Sequence, residues 1–368
     1  MWSNIVEFVR ARKVLSIAIL VVVIGAGTAI FMAARAEPDV TTTVAAPTTT
    51  TTLATTTTSS STTTTTTMGG PTSALNGLTV DDPTLLERRV LAVKMDNHVN
   101  ARPQSGIQEA DVVFEIVVEG ITRFLTLWQQ SDTDYFGPMR SGRPTDPHLL
   151  TALNQPTFAI SGAQSWVQGL IVSMDVNLIG EVRPATFRIS DRFAPHNLYV
   201  DTNLLREHAD QQGHPDEPPT GPIWQFGALP ATAQPASSVE IDFAGNTVNW
   251  DWDAATGTWL RSADGQESMW RSQDGEEGRI GFPVMVVLFT EQYLHSPPGR
   301  GRSLPSSLTT GSGAAYVLAD GKVVEGMWER ETDTDWFTLT DANGSVIPVP
   351  AGQSWISLVP SDDEVVID

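Results

Sequence analysis

Residues 14–34, VLSIAILVVVIGAGTAIFMAA, form an uncharged apolar run of about the 20 residues a helix needs to cross a bilayer. Arg10, Arg12 and Lys13 precede it, and basic flanks stay on the cytoplasmic side. The expectation is therefore a cytoplasmic tail over 1–13, one transmembrane helix over 14–34, and everything later outside the cell. Ala34-Arg35-Ala36 resembles a signal-peptidase site. The run is nevertheless longer than the usual signal core of about 7–15 residues, which favours an uncleaved anchor. Residues 35–77 then form a linker dominated by threonine and serine. Such a composition cannot build a core and reads as a disordered stalk, either glycosylated or bare.

Globular sequence resumes at Leu78 and changes character once. RRVLAVKMD (88–96), ADVVFEIVVEG (110–120) and TRFLTLWQQ (122–130) are β-branched and aromatic runs between turn signals, which predict strands. TDPHLLTALNQP (145–156) predicts a short helix capped by Thr145 or Asp146. VDTNLLREHADQQG (200–213) predicts a second, with Asp201 or Thr202 as cap and Gly213 as stop. TFAISGA (157–163) reads as a strand. After the proline-rich HPDEPPTGP (214–222) come short strands and tight turns, with Asp320-Gly321 and Asn343-Gly344 as hairpin signals. The expected class is α+β: a mixed α/β N-terminal lobe over 78–225, followed by a mostly antiparallel β lobe over 226–368.

Charge and composition exclude several functions. With 22 basic against 43 acidic residues the net charge is −21, and such a surface repels nucleic-acid phosphates. There are no cysteines, so thiolate metal sites, thiol nucleophiles and a lipidated cysteine are excluded. No HExxH pair, complete calcium loop, Walker loop or dinucleotide fingerprint occurs, and neither a metal nor a cofactor is expected. No G-x-S-x-G elbow is present either.

Against this acidic background GPMRSGRPTD (137–146) is unusual. It places Arg140, Ser141 and Arg143 on a loop stiffened by prolines. Arg123 begins a strand, while Arg188, His196 and Asn197 lie in GEVRPATFRISDRFAPHN (180–197). Should these loops meet at one sheet edge, several guanidiniums would converge and bind phosphate or carboxylate through forked hydrogen bonds. The competing expectation is that each arginine pairs with a nearby acid such as Glu115, Glu119, Asp146 or Asp191.

Several stretches together resemble one family. VKMDNHVNARPQSGIQEADVVFEIVVEGITRFLTLW, GPMRSGRPTD, FRISDRFAPHNLY and AGQSWISLVP are similar to the YerB-like family of bacterial extracytoplasmic proteins. Its members have two domains, often carry a lipidated cysteine, and have no characterised molecular function. The resemblance covers 78–225 closely and the second lobe more loosely. It implies a fold and a location, and it draws attention to Lys94, Asp96, Asn97, Arg102, Arg123, Arg140, Arg143, His196 and Asn197. The leading expectation is a membrane-anchored envelope protein whose arginine loops bind a cell-wall polymer, a lipid-linked phosphate or a peptide carboxylate. Two alternatives stay open. One is an envelope enzyme in which Asp96, Glu115 or His196 moves a proton. The other is a scaffold whose tryptophan-rich second lobe recruits an envelope protein.

Overall fold

The computed structural model describes residues 70–368 apart from Ala244. The expected tail, membrane helix and most of the stalk lie outside the described residues, among which no helix is long and apolar enough to cross a membrane. The described chain is mostly β with few helices. Packing begins before Leu78: Leu75 and Asn76 are fully buried, and the Asn76 amide donates to Asp111 at 3.2 Å.

An eleven-stranded mixed sheet organises the molecule. Its N-terminal strands are β1 (Leu91–Met95), β2 (Val112–Val117), β3 (Thr122–Trp128), β4 (Thr157–Ala159) and β5 (Asn177–Ile179). Across the sheet the order is Thr338–Thr340, Lys322–Arg330, Gly311–Ala319, Val284–Thr290, Ser354–Pro360, β2, β3, β1, β4, β5, with Gln234–Pro235 beside Lys322–Arg330. Ser354–Pro360 pairs parallel with both β2 and Val284–Thr290. One sheet thus runs through sequence from both sides of the 214–222 proline stretch. These two pairings are parallel, whereas the other described strands of 226–368 pair antiparallel. SWISLVP is buried on both faces, which an interior strand requires.

Residues of alternate parity face opposite layers. Val112, Phe114, Ile116, Leu125 and Leu127 pack with Leu149 and Leu150 of α1 (Thr145–Leu150) and Val167 and Ile171 of α2 (Ser165–Ser173). Val113, Phe124, Trp128, Met285, Val287 and Trp355 face the other way. They meet a six-stranded sheet containing Ser238–Phe243, Asn246–Asp253, Thr258–Ala263 and Glu364–Ile367, together with α3 (Thr202–Gln211). Trp250, Trp259, Trp328 and Trp355 are core residues.

Asp201 caps α3 as its position predicts, accepting from Asn203 N and Leu204 N. Asp201→Ala should cost about 1 kcal/mol in denaturant unfolding. α1 is different: Pro144 occupies the cap position. The Thr145 hydroxyl turns instead to Ser306 and the Asp146 carboxylate to Lys94.

Candidate functional site

Strand direction collects the motif residues. β1, β4 and β5 run parallel, and β2 points the same way because both β1 and β2 are antiparallel to β3. Their carboxyl ends therefore share one edge of the sheet, where open α/β sheets place ligands. Asp96 follows β1, Glu119 follows β2, Ser161 follows β4 and Glu181 follows β5. Arg123 enters the same edge near the start of β3. Residues 137–143 are tethered there by backbone bonds from Arg140 N to Lys94 O (2.8 Å) and from Ser161 N to Arg140 O (3.1 Å).

Asp96 is the hub, and it is fully buried. Its Oδ2 lies 2.7 Å from His196 Nδ1 and 3.1 Å from Arg140 Nε. The Arg140 contact is a close ion pair without hydrogen-bond alignment. Asp96 Oδ1 accepts the His98 backbone N–H at 3.2 Å. The His98 ring stacks on His196 with centroids 4.6 Å apart and planes inclined by 17°. His98 was not singled out by sequence, although it sits two residues after Asp96 in the same family motif.

Arg123 is the anomaly. It is 7% exposed, and among the described residues it forms no salt bridge. Of the described acceptors Nη1 reaches only the Ser141 carbonyl, at 3.3 Å, and the buried Nε reaches none. Desolvation, reinforced by Arg143 and Arg140, pushes the guanidinium pKa down to about 10. Its neighbours are neutralised: Arg143 grips Glu119 with both forks at 2.8–3.1 Å, and the Lys94 ammonium lies 2.6 Å from Asp146 with both groups fully buried. Burial pushes Lys94 below the ordinary lysine value, and Asp146 opposes that shift. Counting Lys94, Arg123, Arg140 and Arg143 against Asp96, Glu119 and Asp146 leaves one surplus positive charge.

The remaining motif residues flank this cluster. Asn97 donates to Thr122 Oγ1 (2.8 Å) and accepts from Arg102 Nε and Gln104 Nε2 (3.2 Å each). Arg188 pairs with Glu181 at 3.0 Å and donates to Asn197 Oδ1 at 2.9 Å. The Asn197 amide in turn holds the Ile189 and Arg192 carbonyls, at 3.1 Å each. Ser141 contributes its carbonyl to Arg123. Glu115 is sequestered from the cluster: its strand parity turns it to the opposite face, where it pairs with buried Arg261 at 2.7 Å.

Asn97, His98, Arg102, Thr122 and Asn246 line a cleft of about 300 Å³ beside the cluster. A larger one, about 780 Å³, lies elsewhere between Trp224, Arg330 and Trp336. Among the described residues no three carboxylate or imidazole side chains converge as a metal site would require.

The fold and site define a mixed-sheet protein with a polar, arginine-bearing cluster at the carboxyl edge of its central strands. A model described as the N-terminal domain of a protein of unknown function, DUF3048, matches residues 75–215, and the model of the matching C-terminal domain covers 239–356. The chain belongs to this YerB-like family. The curated relative "Putative lipoprotein YerB" of Bacillus subtilis (strain 168) is 27% identical over 309 residues, spanning 78% of this chain and 86% of that one. The crystal structure of YerB from the same species superposes with a TM-score of 0.69 at 24% identity. That match covers 80% of this chain and 99% of the other, and it shows the shared fold.

Proposed function

We propose that this is a membrane-associated extracytoplasmic protein that holds an anionic envelope ligand between Arg123 and Arg140. The ligand group is a phosphate or carboxylate. The membrane association rests on the apolar run at 14–34 and on the relative named as a lipoprotein.

One observation carries the binding assignment. Arg123 Nη2 and both terminal nitrogens of Arg140 have no acceptor among the described residues, although both arginines adjoin the buried Asp96. A guanidinium desolvated without a carboxylate is costly, and an incoming anion relieves that cost.

Isothermal titration of the full chain in detergent with wall fragments and polyprenyl phosphates tests this reading. Arg140→Gln should weaken binding by about tenfold or more, the effect of one lost charge-assisted hydrogen bond. Arg143→Gln should do less, because Arg143 is already occupied by Glu119. Equal affinities for wild type and Arg140→Gln would refute the assignment. A second reading, an envelope hydrolase or phosphotransferase at the same site, is favoured specifically by the Asp96–His196 pair, the geometry of an oriented general base.

A further inference from the structure

Resting on that anion-binding reading, we infer that the site selects a phosphate bearing its own O–H donor, with His196 Nε2 as the discriminating acceptor. An ionised carboxylate can only accept hydrogen bonds, so His196 must donate from Nδ1 across its 2.7 Å contact with Asp96 Oδ2. In the neutral imidazole the other nitrogen, Nε2, then carries a lone pair. No described residue donates to Nε2, and it is not among the buried atoms left without partners, so it is open to a ligand.

The ring cannot easily reverse this assignment. Asp96 pins one edge, and the stacked His98 ring covers a face. His98 Nδ1 is itself committed to the Asn100 N–H at 3.2 Å, so a neutral His98 keeps its proton on the other nitrogen.

Asp96 Oδ2 also lies beside Arg140, so Arg140 and the His196 ring hold the same carboxylate oxygen, with Nε2 directed away from it. In the inferred arrangement an anion seated on the guanidiniums would have donors on one side and the Nε2 lone pair as acceptor on the other. Hydrogen phosphate, or a sugar phosphate with a neighbouring hydroxyl, satisfies both. Sulfate has the same tetrahedral shape but presents only lone pairs to Nε2, and two facing lone pairs leave both groups unsatisfied.

The test is calorimetric titration of the full chain with inorganic phosphate and with sulfate at pH 8, above the ordinary histidine range. Both anions are then mainly doubly charged, and only phosphate keeps a proton. Phosphate should bind at least about tenfold more tightly than sulfate. His196→Gln, whose amide can donate as well as accept, should bring the two anions together. Equal affinities in the wild-type protein would overturn the selectivity while leaving the anion site standing. Binding of neither anion would overturn the site itself. Long-range nitrogen–proton spectra of the unaltered protein provide a readout independent of the variant. His196 should be protonated on Nδ1 and bare on Nε2, with Nε2 shifting on addition of phosphate and not of sulfate. A neutral ring protonated on Nε2 would overturn the inference.

Discussion

Arg261→Met is expected to lower the free energy of unfolding by about 3–5 kcal/mol, the usual consequence of removing one partner of a buried ion pair. Arg261 is 1% exposed, and its partner Glu115 is fully buried. The guanidinium sits among aromatic rings, 5.4 Å from the centroids of Phe124 and Trp355 and 5.9 Å from that of Trp250. Methionine would fill much of the same space. It would leave the Glu115 carboxylate with donors from Thr122 (2.7 Å) and Trp355 (3.2 Å) but without a countercharge. The loss therefore comes from the orphaned charge rather than from a void. Adding Glu115→Gln should recover most of it, because replacing both charges of a buried pair is often near neutral. Denaturant titration of the two variants separates these terms. A single variant within about 1 kcal/mol of wild type would show that the pair does not lock the two sheets together.

Lys94→Met should have a comparable effect, about 3–5 kcal/mol, on the opposite face of the central sheet. Lys94 and Asp146 are both fully buried, and their contact joins β1 to the start of α1. The other Asp146 oxygen accepts the Arg143 backbone N–H at 2.7 Å, so the same carboxylate shapes the arginine loop. Lys94→Met should consequently weaken anion binding as well as stability. A double-mutant cycle with Asp146→Asn should show a coupling of about 0.5–3 kcal/mol, the range for groups sharing one network. Additive effects would mean that the ammonium and the carboxylate do not sense each other.

The elements that sequence made legible are those whose signals are local. Strands β1, β2 and β3 follow from runs of β-branched and aromatic residues, and the Asp201 cap and the Asp320-Gly321 turn follow from backbone chemistry at single positions. α2 gave no comparable signal. SWVQGLIVS contains a central glycine and β-branched residues that suit a strand as well as a helix, and only packing of Val167 and Ile171 on the sheet settles its form. The parallel seating of Ser354–Pro360 beside β2 joins segments about 240 residues apart, a distance over which periodicity carries no information.

The site divides along the same line. GPMRSGRPTD, the 180–197 stretch and the Asp96 motif were recognisable as unusual, and parallel strands bring them to one edge. Which arginine pairs with which acid was not readable. Arg143 and Arg188 proved paired with Glu119 and Glu181, while Arg123 proved to have no carboxylate partner among the described residues. Glu115 also illustrates how parity overrides proximity in sequence. It lies eight residues before Arg123, yet it faces the opposite layer and a partner, Arg261, from the far half of the chain.

The most direct test of the anion clamp is a crystal structure of the full chain grown with hydrogen phosphate. The expected result is a phosphate bridging Arg123 Nη2 and the terminal nitrogens of Arg140, with its hydroxyl directed at His196 Nε2. The contrary result is no anion at that position, with both guanidiniums satisfied by carboxylates of the protein.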